Sequence, residues 1–148
     1  FQATLLPLST LLTPNIPEAE LLAGRPIHGL EDMKAAARQI LQMGPKAVLV
    51  KGGHGQGREK TDLLLIDGSF HTFSSATIST RNTHGTGCTL SSAIASFVAR
   101  GQGICEAVAS AKAYLYEALR AGADVSVGEG HGPVNHFYDP QPLILTEQ

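Results

Sequence analysis

The chain has 148 residues, 43% of them hydrophobic, 16% charged and 5% aromatic, and 11 Lys+Arg against 13 Asp+Glu give a formal net charge of -2. Ordinary apolar content with so small a net charge excludes a disordered chain, and outnumbered, scattered basic residues speak against a nucleic-acid partner held by bulk charge. No apolar run reaches the ~18 residues that a membrane-crossing helix needs, so no membrane partner is expected. The length suits one domain over residues 1–148. Two cysteines, Cys88 and Cys105, cannot build a disulfide framework, which points to the cytoplasm. The first residue is Phe1, and Phe1 to Pro7 reads as the tail of an element begun earlier, so the chain is expected to be part of a longer one.

The elements follow in order. Ser9 to Thr13 is a short apolar run closed by Pro14, which fits a buried strand. Pro17 to Ala23 carries Pro and acids in a first turn and Gly24 just past its end, the start and stop signals of a helix. Leu30, Met33, Ala37, Ile40 and Leu41 recur at helical spacing, with Glu31 and Asp32 early and Gly44 as terminator. Lys46 to Val50 is a valine-rich buried strand. Strand, helices and strand within ~40 residues make a βαβ crossover, which implies a parallel pair. Asp62 to Ile66 and Phe70 to Phe73 then flank Asp67-Gly68, a strong hairpin signal. A helix over Thr89 to Arg100 with Leu90, Ile94, Phe97 and Val98 on its apolar stripe comes next, and another runs from Ile104 to Ala121, with Val108, Ala111, Leu115 and Leu119 facing the core. The last ~25 residues, rich in Gly and Pro, are expected to wrap the surface. Small-residue helices beside a sheet indicate a layered α/β/α fold.

Two glycine-rich segments can carry chemistry. Lys51-Gly52-Gly53-His54-Gly55-Gln56-Gly57 follows a buried strand directly, and ligands of α/β sheets sit at the carboxyl ends of strands. Arg58-Glu59 stands where a Walker loop needs Lys and Ser/Thr, so neither standard nucleotide fingerprint is present, and a hydrophilic surface loop fits the spacing equally well. Asn82-Thr83-His84-Gly85-Thr86-Gly87-Cys88 leads straight into a helix. The unpaired amides and positive dipole end of a helix start form an anion site without any basic side chain. Cys88 falls in that first turn, where the same field favours a thiolate able to act as nucleophile or general base; the opposing reading is a small buried packing residue. Zinc-ligand spacing is absent. Asn15 and Glu18 suit a magnesium ion held through water and phosphate oxygens, and they suit a capping box as well.

Taken together, Thr13-Pro14-Asn15-Ile16-Pro17-Glu18-Ala19, Val50-Lys51-Gly52-Gly53-His54 and Asn82-Thr83-His84-Gly85-Thr86-Gly87-Cys88-Thr89 resemble, in order and spacing, the hydroxymethylpyrimidine/phosphomethylpyrimidine kinases. These are thiamine-pathway enzymes of the ribokinase-like superfamily. The resemblance runs from Leu5 to Phe137 and includes Gly130-His131-Gly132-Pro133-Val134-Asn135-His136-Phe137. It implies the carboxy-terminal part of a three-layer α/β/α sandwich with a largely parallel sheet, here with a β-hairpin. It also implies ATP-dependent phosphorylation of the hydroxymethyl group of 4-amino-5-hydroxymethyl-2-methylpyrimidine and then of its monophosphate, with Mg²⁺.

By the same resemblance, Gly85, Thr86, Gly87 and Cys88 form the anion hole, and Cys88 stands where most of the superfamily has an aspartate base. Asn15 and Glu18 match the N-x-x-E motif of magnesium and phosphate placement. Lys51, Gly52, Gly53, His54 and Gly55 match a loop lining the ATP phosphates and ribose. Lys112 and Ala109 lie on a helix running near the adenine pocket. Such kinases carry a further stretch of about this size ahead of the matching part, with most of the pyrimidine contacts. The chain is therefore expected to hold the ATP-side half of the site, to work in association with that amino-terminal segment, and to form a homodimer. Three alternatives remain. A pyridoxal kinase of the superfamily shares the cysteine-bearing loop, a non-catalytic nucleotide-binding fragment needs no base, and a cysteine hydrolase would rest on Cys88 and His84 without an orienting third group.

Overall fold

A computed structural model describes residues 10–52, 59–76 and 86–122. The chain divides into two compact units, residues 1–77 and 78–148. The segments Phe1 to Pro7, Thr80 to Gly85 and the terminal ~25 residues, on which expectations also fell, lie outside the described residues.

The first unit is the expected crossover followed by the expected hairpin. Its strands are β1 (Leu11–Leu12), β2 (Ala47–Val50), β3 (Glu59–Ile66) and β4 (Ser69–Ala76), with α1 (Ile16–Ala23) and α2 (Leu30–Leu41) between the first two. The four strands form one sheet in the order β1-β2-β3-β4. Leu11 and Leu12 pair in parallel with Ala47 and Val48, as a βαβ connection requires. The β2–β3 and β3–β4 pairs are antiparallel, so the described sheet is mixed, and its parallel character is confined to the crossover. Asp67 and Gly68 both take positive φ, 51° and 74°, the backbone of the two-residue turn whose twist matches the flanking strands.

Register sorts the core. Val48 opposes Leu65 and Val50 opposes Leu63. These four side chains meet Ala19, Met33, Ala37 and Ile40 from the helices in one buried cluster. Ala47, Leu49 and Leu64, which point to the other face, are fully buried too. This explains why β2 reads as an unbroken apolar run instead of an alternating one. Phe70 packs on the cluster from β4, with the Lys34 ammonium 5.8 Å and the Arg38 guanidinium 4.9 Å from its ring centroid. Those cations are one helical turn apart on α2, so both stems cover the same ring.

The second unit contains α3 (Thr86–Ala99) and α4 (Ile104–Gly122), packed against each other. Buried Ala107, Ala111, Ala118 and Gly122 recur along α4 at helical spacing and, being small, let the helices approach closely. Leu90 and Ile94 supply the buried stripe of α3, whereas Val98, expected on that stripe, is exposed. The chain leaves α3 through Gly101 at φ 96°, with Gly101 N–H donating to Val98 O and Gln102 N–H to Phe97 O, a Schellman stop. One boundary differs from expectation. The helix begins at Thr86, ahead of Thr89, and its first residues, Thr86-Gly87-Cys88, carry no apolar periodicity to announce it.

Candidate active site

Three short backbone devices build the site region of the first unit. The chain runs from β1 through Pro14, which is buried, into Asn15, the N-cap of α1. The Glu18 amide donates to Asn15 Oδ1 at 2.9 Å, and the Asn15 amide donates back to Glu18 Oε2 at 3.0 Å. This reciprocal capping box satisfies two orphan donors of the helix start. It occupies one side of the Glu18 carboxylate, and a carboxylate offers about four lone-pair sites, so capping and a role toward a cation are compatible.

The second device joins two motifs that stand far apart in sequence. Asn15 and Lys51 form a parallel bridge, with the Lys51 amide donating to Pro14 O at 2.8 Å. Both residues lie just past the carboxyl ends of neighbouring parallel strands, where α/β sheets place their ligands. Bridged strands run ~4.8 Å apart, so the backbones of the expected phosphate-placing asparagine and the expected nucleotide-loop lysine are immediate neighbours.

The third device is at Gly52. The β2–β3 ladder ends with Val50 opposite Leu63. Two residues further, the Gly52 amide donates to the side chain of Asp62 on β3, at 2.9 Å from Oδ1. Asp62 is only 4% exposed. A Cβ at Gly52 would overlap the Thr61 carbonyl oxygen, so glycine is needed here for close backbone approach. The resemblance puts this glycine in a loop lining the ATP phosphates, and its own N–H is engaged with Asp62. Sequence reasoning missed Asp62, which reads there only as the first residue of an apolar strand. The available signal was a lone carboxylate at the head of Asp62-Leu63-Leu64-Leu65, since a charge in a buried strand needs a partner.

In the second unit, Gly87 and Cys88 fall inside the first turn of α3, where amides have no intrahelical acceptor. Cys88 is exposed, which removes the reading of a buried packing residue. Lys112 is half-buried on α4, and Ala109 is exposed on the same helix. Gly53, His54, Gly55 and Gly85 lie outside the described residues, as does the side chain of Thr86.

Comparison with known proteins gives a consistent picture. The family model described as phosphomethylpyrimidine kinase matches residues 1–135. A hydroxymethylpyrimidine/phosphomethylpyrimidine kinase of Rhizobium meliloti is 49% identical over 135 residues, 90% of this chain and 51% of that protein. A phosphomethylpyrimidine kinase of Clostridium difficile superposes with a TM-score of 0.67 at 45% identity, over 80% of this chain and 46% of that one. The pyridoxal kinase of Staphylococcus aureus in complex with AMP-PCP and pyridoxal superposes with a TM-score of 0.86 at 34% identity, over 91% of this chain and 50% of that one. The chain spans about half the length of curated kinases that it matches. Its α/β fold is ribokinase-like, and among the described residues no helix is long and apolar enough to cross a membrane.

Proposed function

The chain belongs to the phosphomethylpyrimidine kinase family, and from that premise we propose that it forms the nucleotide-side half of an ATP-dependent kinase. Its substrates are then 4-amino-5-hydroxymethyl-2-methylpyrimidine and the corresponding monophosphate. The structural observation that supports this reading most is the Asn15–Lys51 bridge, which places two of the three site motifs side by side at one sheet end.

The chemistry asks little covalent work of the protein. In phosphoryl transfer to a primary alcohol, charge spreads over the oxygens of the migrating group, and catalysis is mainly positioning and charge stabilisation. Gly85, Thr86, Gly87 and Cys88 would offer α3 amides to those oxygens. The exposed Cys88, as thiolate, would take the hydroxyl proton as the new O–P bond forms and the γ-phosphorus separates from the bridging oxygen of the departing ADP. Lys51, Gly52, Gly53, His54 and Gly55 would line the ATP phosphates, and Lys112 would lie near the nucleotide. Asn15 and Glu18 would hold Mg²⁺ through water and phosphate oxygens, and the ion would neutralise charge on the transferring group. We place the protein in the cytoplasm as a homodimer.

The test is reconstitution. The 148-residue polypeptide is mixed with the amino-terminal half of a relative, ATP, Mg²⁺ and the hydroxymethylpyrimidine, and ADP release is followed. Turnover is expected only in the complete mixture, and full turnover by the polypeptide alone would contradict the half-site reading. Pyridoxal is the parallel substrate, because the likeness to the Staphylococcus aureus enzyme favours it as the second reading. Faster turnover of pyridoxal than of the pyrimidine would reverse the order of the two.

A further inference from the structure

The buried carboxylate beside the nucleotide loop has a task that the kinase reading does not assign. Asp62 sits on β3 one residue beyond the last β2–β3 pair, opposite the point where the chain leaves the sheet. An antiparallel ladder continuing past Val50 would hold the chain flat against β3. The Asp62 side chain instead accepts the Gly52 amide at 2.9 Å, taking the place of a backbone acceptor. Gly52 in turn lies so close to the Thr61 carbonyl that no side chain fits. The two contacts together set the plane of the Lys51–Gly52 peptide. Because a trans peptide is planar, with its N–H and C=O pointing oppositely, fixing the Gly52 N–H on Asp62 also directs the Lys51 carbonyl away from β3.

We propose that Asp62 is a positioning residue for ATP: by holding the Gly52 amide, it fixes the Lys51–Gly52 peptide at the end of β2, which the kinase reading sets beside the ATP phosphates. The proposal rests on the kinase reading and adds to it a residue that need not touch the nucleotide. What Asp62 supplies is an acceptor oxygen in a fixed place, and burial makes that bond hard to replace with water.

The test uses the intact kinase that carries this chain, with ATP affinity measured by titration calorimetry and KM measured for ATP and for the pyrimidine. Asp62→Ala is expected to weaken ATP binding by about 10-fold or more, in line with the loss of a charge-assisted hydrogen bond, and to leave the pyrimidine KM in place. Asp62→Asn keeps an acceptor oxygen and is expected to stay within about threefold of the parent. In the parent, the Gly52 amide is expected to exchange slowly with solvent deuterium.

A folded Asp62→Ala protein with parental ATP affinity overturns the assignment, and so does an equal rise in both KM values, which would mark a merely structural loss. If Asp62→Ala does not fold, the Asn variant and the exchange rate decide: ATP binding about 10-fold weaker in Asp62→Asn, or rapid Gly52 exchange in the parent, overturns it. A parent protein that binds no ATP sinks the kinase reading and this proposal with it. A parent that binds ATP alongside an equally competent Asp62→Ala sinks only the role of Asp62.

Discussion

The turn after β2 and the first turn of α3 are both proposed to face the phosphates of ATP, yet they are built in opposite ways. At the first, every described contact is already made: Lys51 N–H is on Pro14 O, Gly52 N–H is on Asp62, and Asn15 and Glu18 cap each other. At the second, the helix start leaves amides without intrahelical acceptors, and Cys88 stands exposed. The difference separates holding from reacting. On the proposed reading, one turn is a frame whose described backbone amides are committed to the protein, and the other would offer its amides to a ligand.

The sharpest way to break that contrast is at Cys88. In the intact kinase, Cys88→Ala is expected to lower kcat by about 10²–10⁴-fold while ATP binding, read by calorimetry, is retained. Unchanged turnover would show that this turn, too, only holds. Next in size is Gly52→Ala. Its Cβ overlaps the Thr61 carbonyl, so the turn must shift, and a loss of about 1–3 kcal/mol in urea unfolding is expected together with a raised KM for ATP. A variant as stable as the parent would mean that the frame is softer than its contacts imply.

A smaller effect separates the two uses of the Asn15–Glu18 pair. Asn15→Ala removes the N-cap acceptor and should cost about 1 kcal/mol of stability. Glu18→Gln keeps an oxygen for the Asn15 amide, so its melting temperature should match the parent while kcat falls at limiting Mg²⁺. Equal kcat across a Mg²⁺ titration would reduce Glu18 to capping alone. Last comes the surface between α2 and β4. Arg38→Gln removes one of two cations over Phe70 and should lower stability by about 0.5–1 kcal/mol, with ATP binding unchanged.

What was legible in the sequence tracks where local physics decides structure. Asp67-Gly68 announces its turn because few other pairs accept two positive φ angles, and α2 announces itself through an apolar period that its core partners require. The capping box of α1 is legible for the same reason, since all its parts lie within four residues. The extent of the hairpin is not. β3 reaches back to Glu59 and β4 on to Ala76, where polar residues such as Thr61 and Ser74 pair through the backbone and leave no apolar alternation to read. Thr61 Oγ1 and Ser74 Oγ, 3.1 Å apart, add a hydrogen bond across those strands. What Asp62 holds stays hidden for a third reason. Its partner is the amide of Gly52, ten residues away, and no composition rule reports which backbone group a carboxylate will find.

The double engagement of Asn15 narrows what can stand at that position. Its side chain must accept the Glu18 amide, while its backbone must stay extended at φ -75° and ψ 175° to lie along Lys51. Aspartate meets both demands and brings a full negative charge to the start of α1, which favours the helix but opposes an incoming triphosphate. Serine and threonine cap well, though their hydroxyls reach less far. Alanine fails the first demand, and a bulky apolar side chain gains nothing at a half-exposed edge. An amide that is neutral, short and able to accept is thus among the few solutions left. A library randomised at codon 15 and selected for growth without added thiamine should return asparagine far above its share.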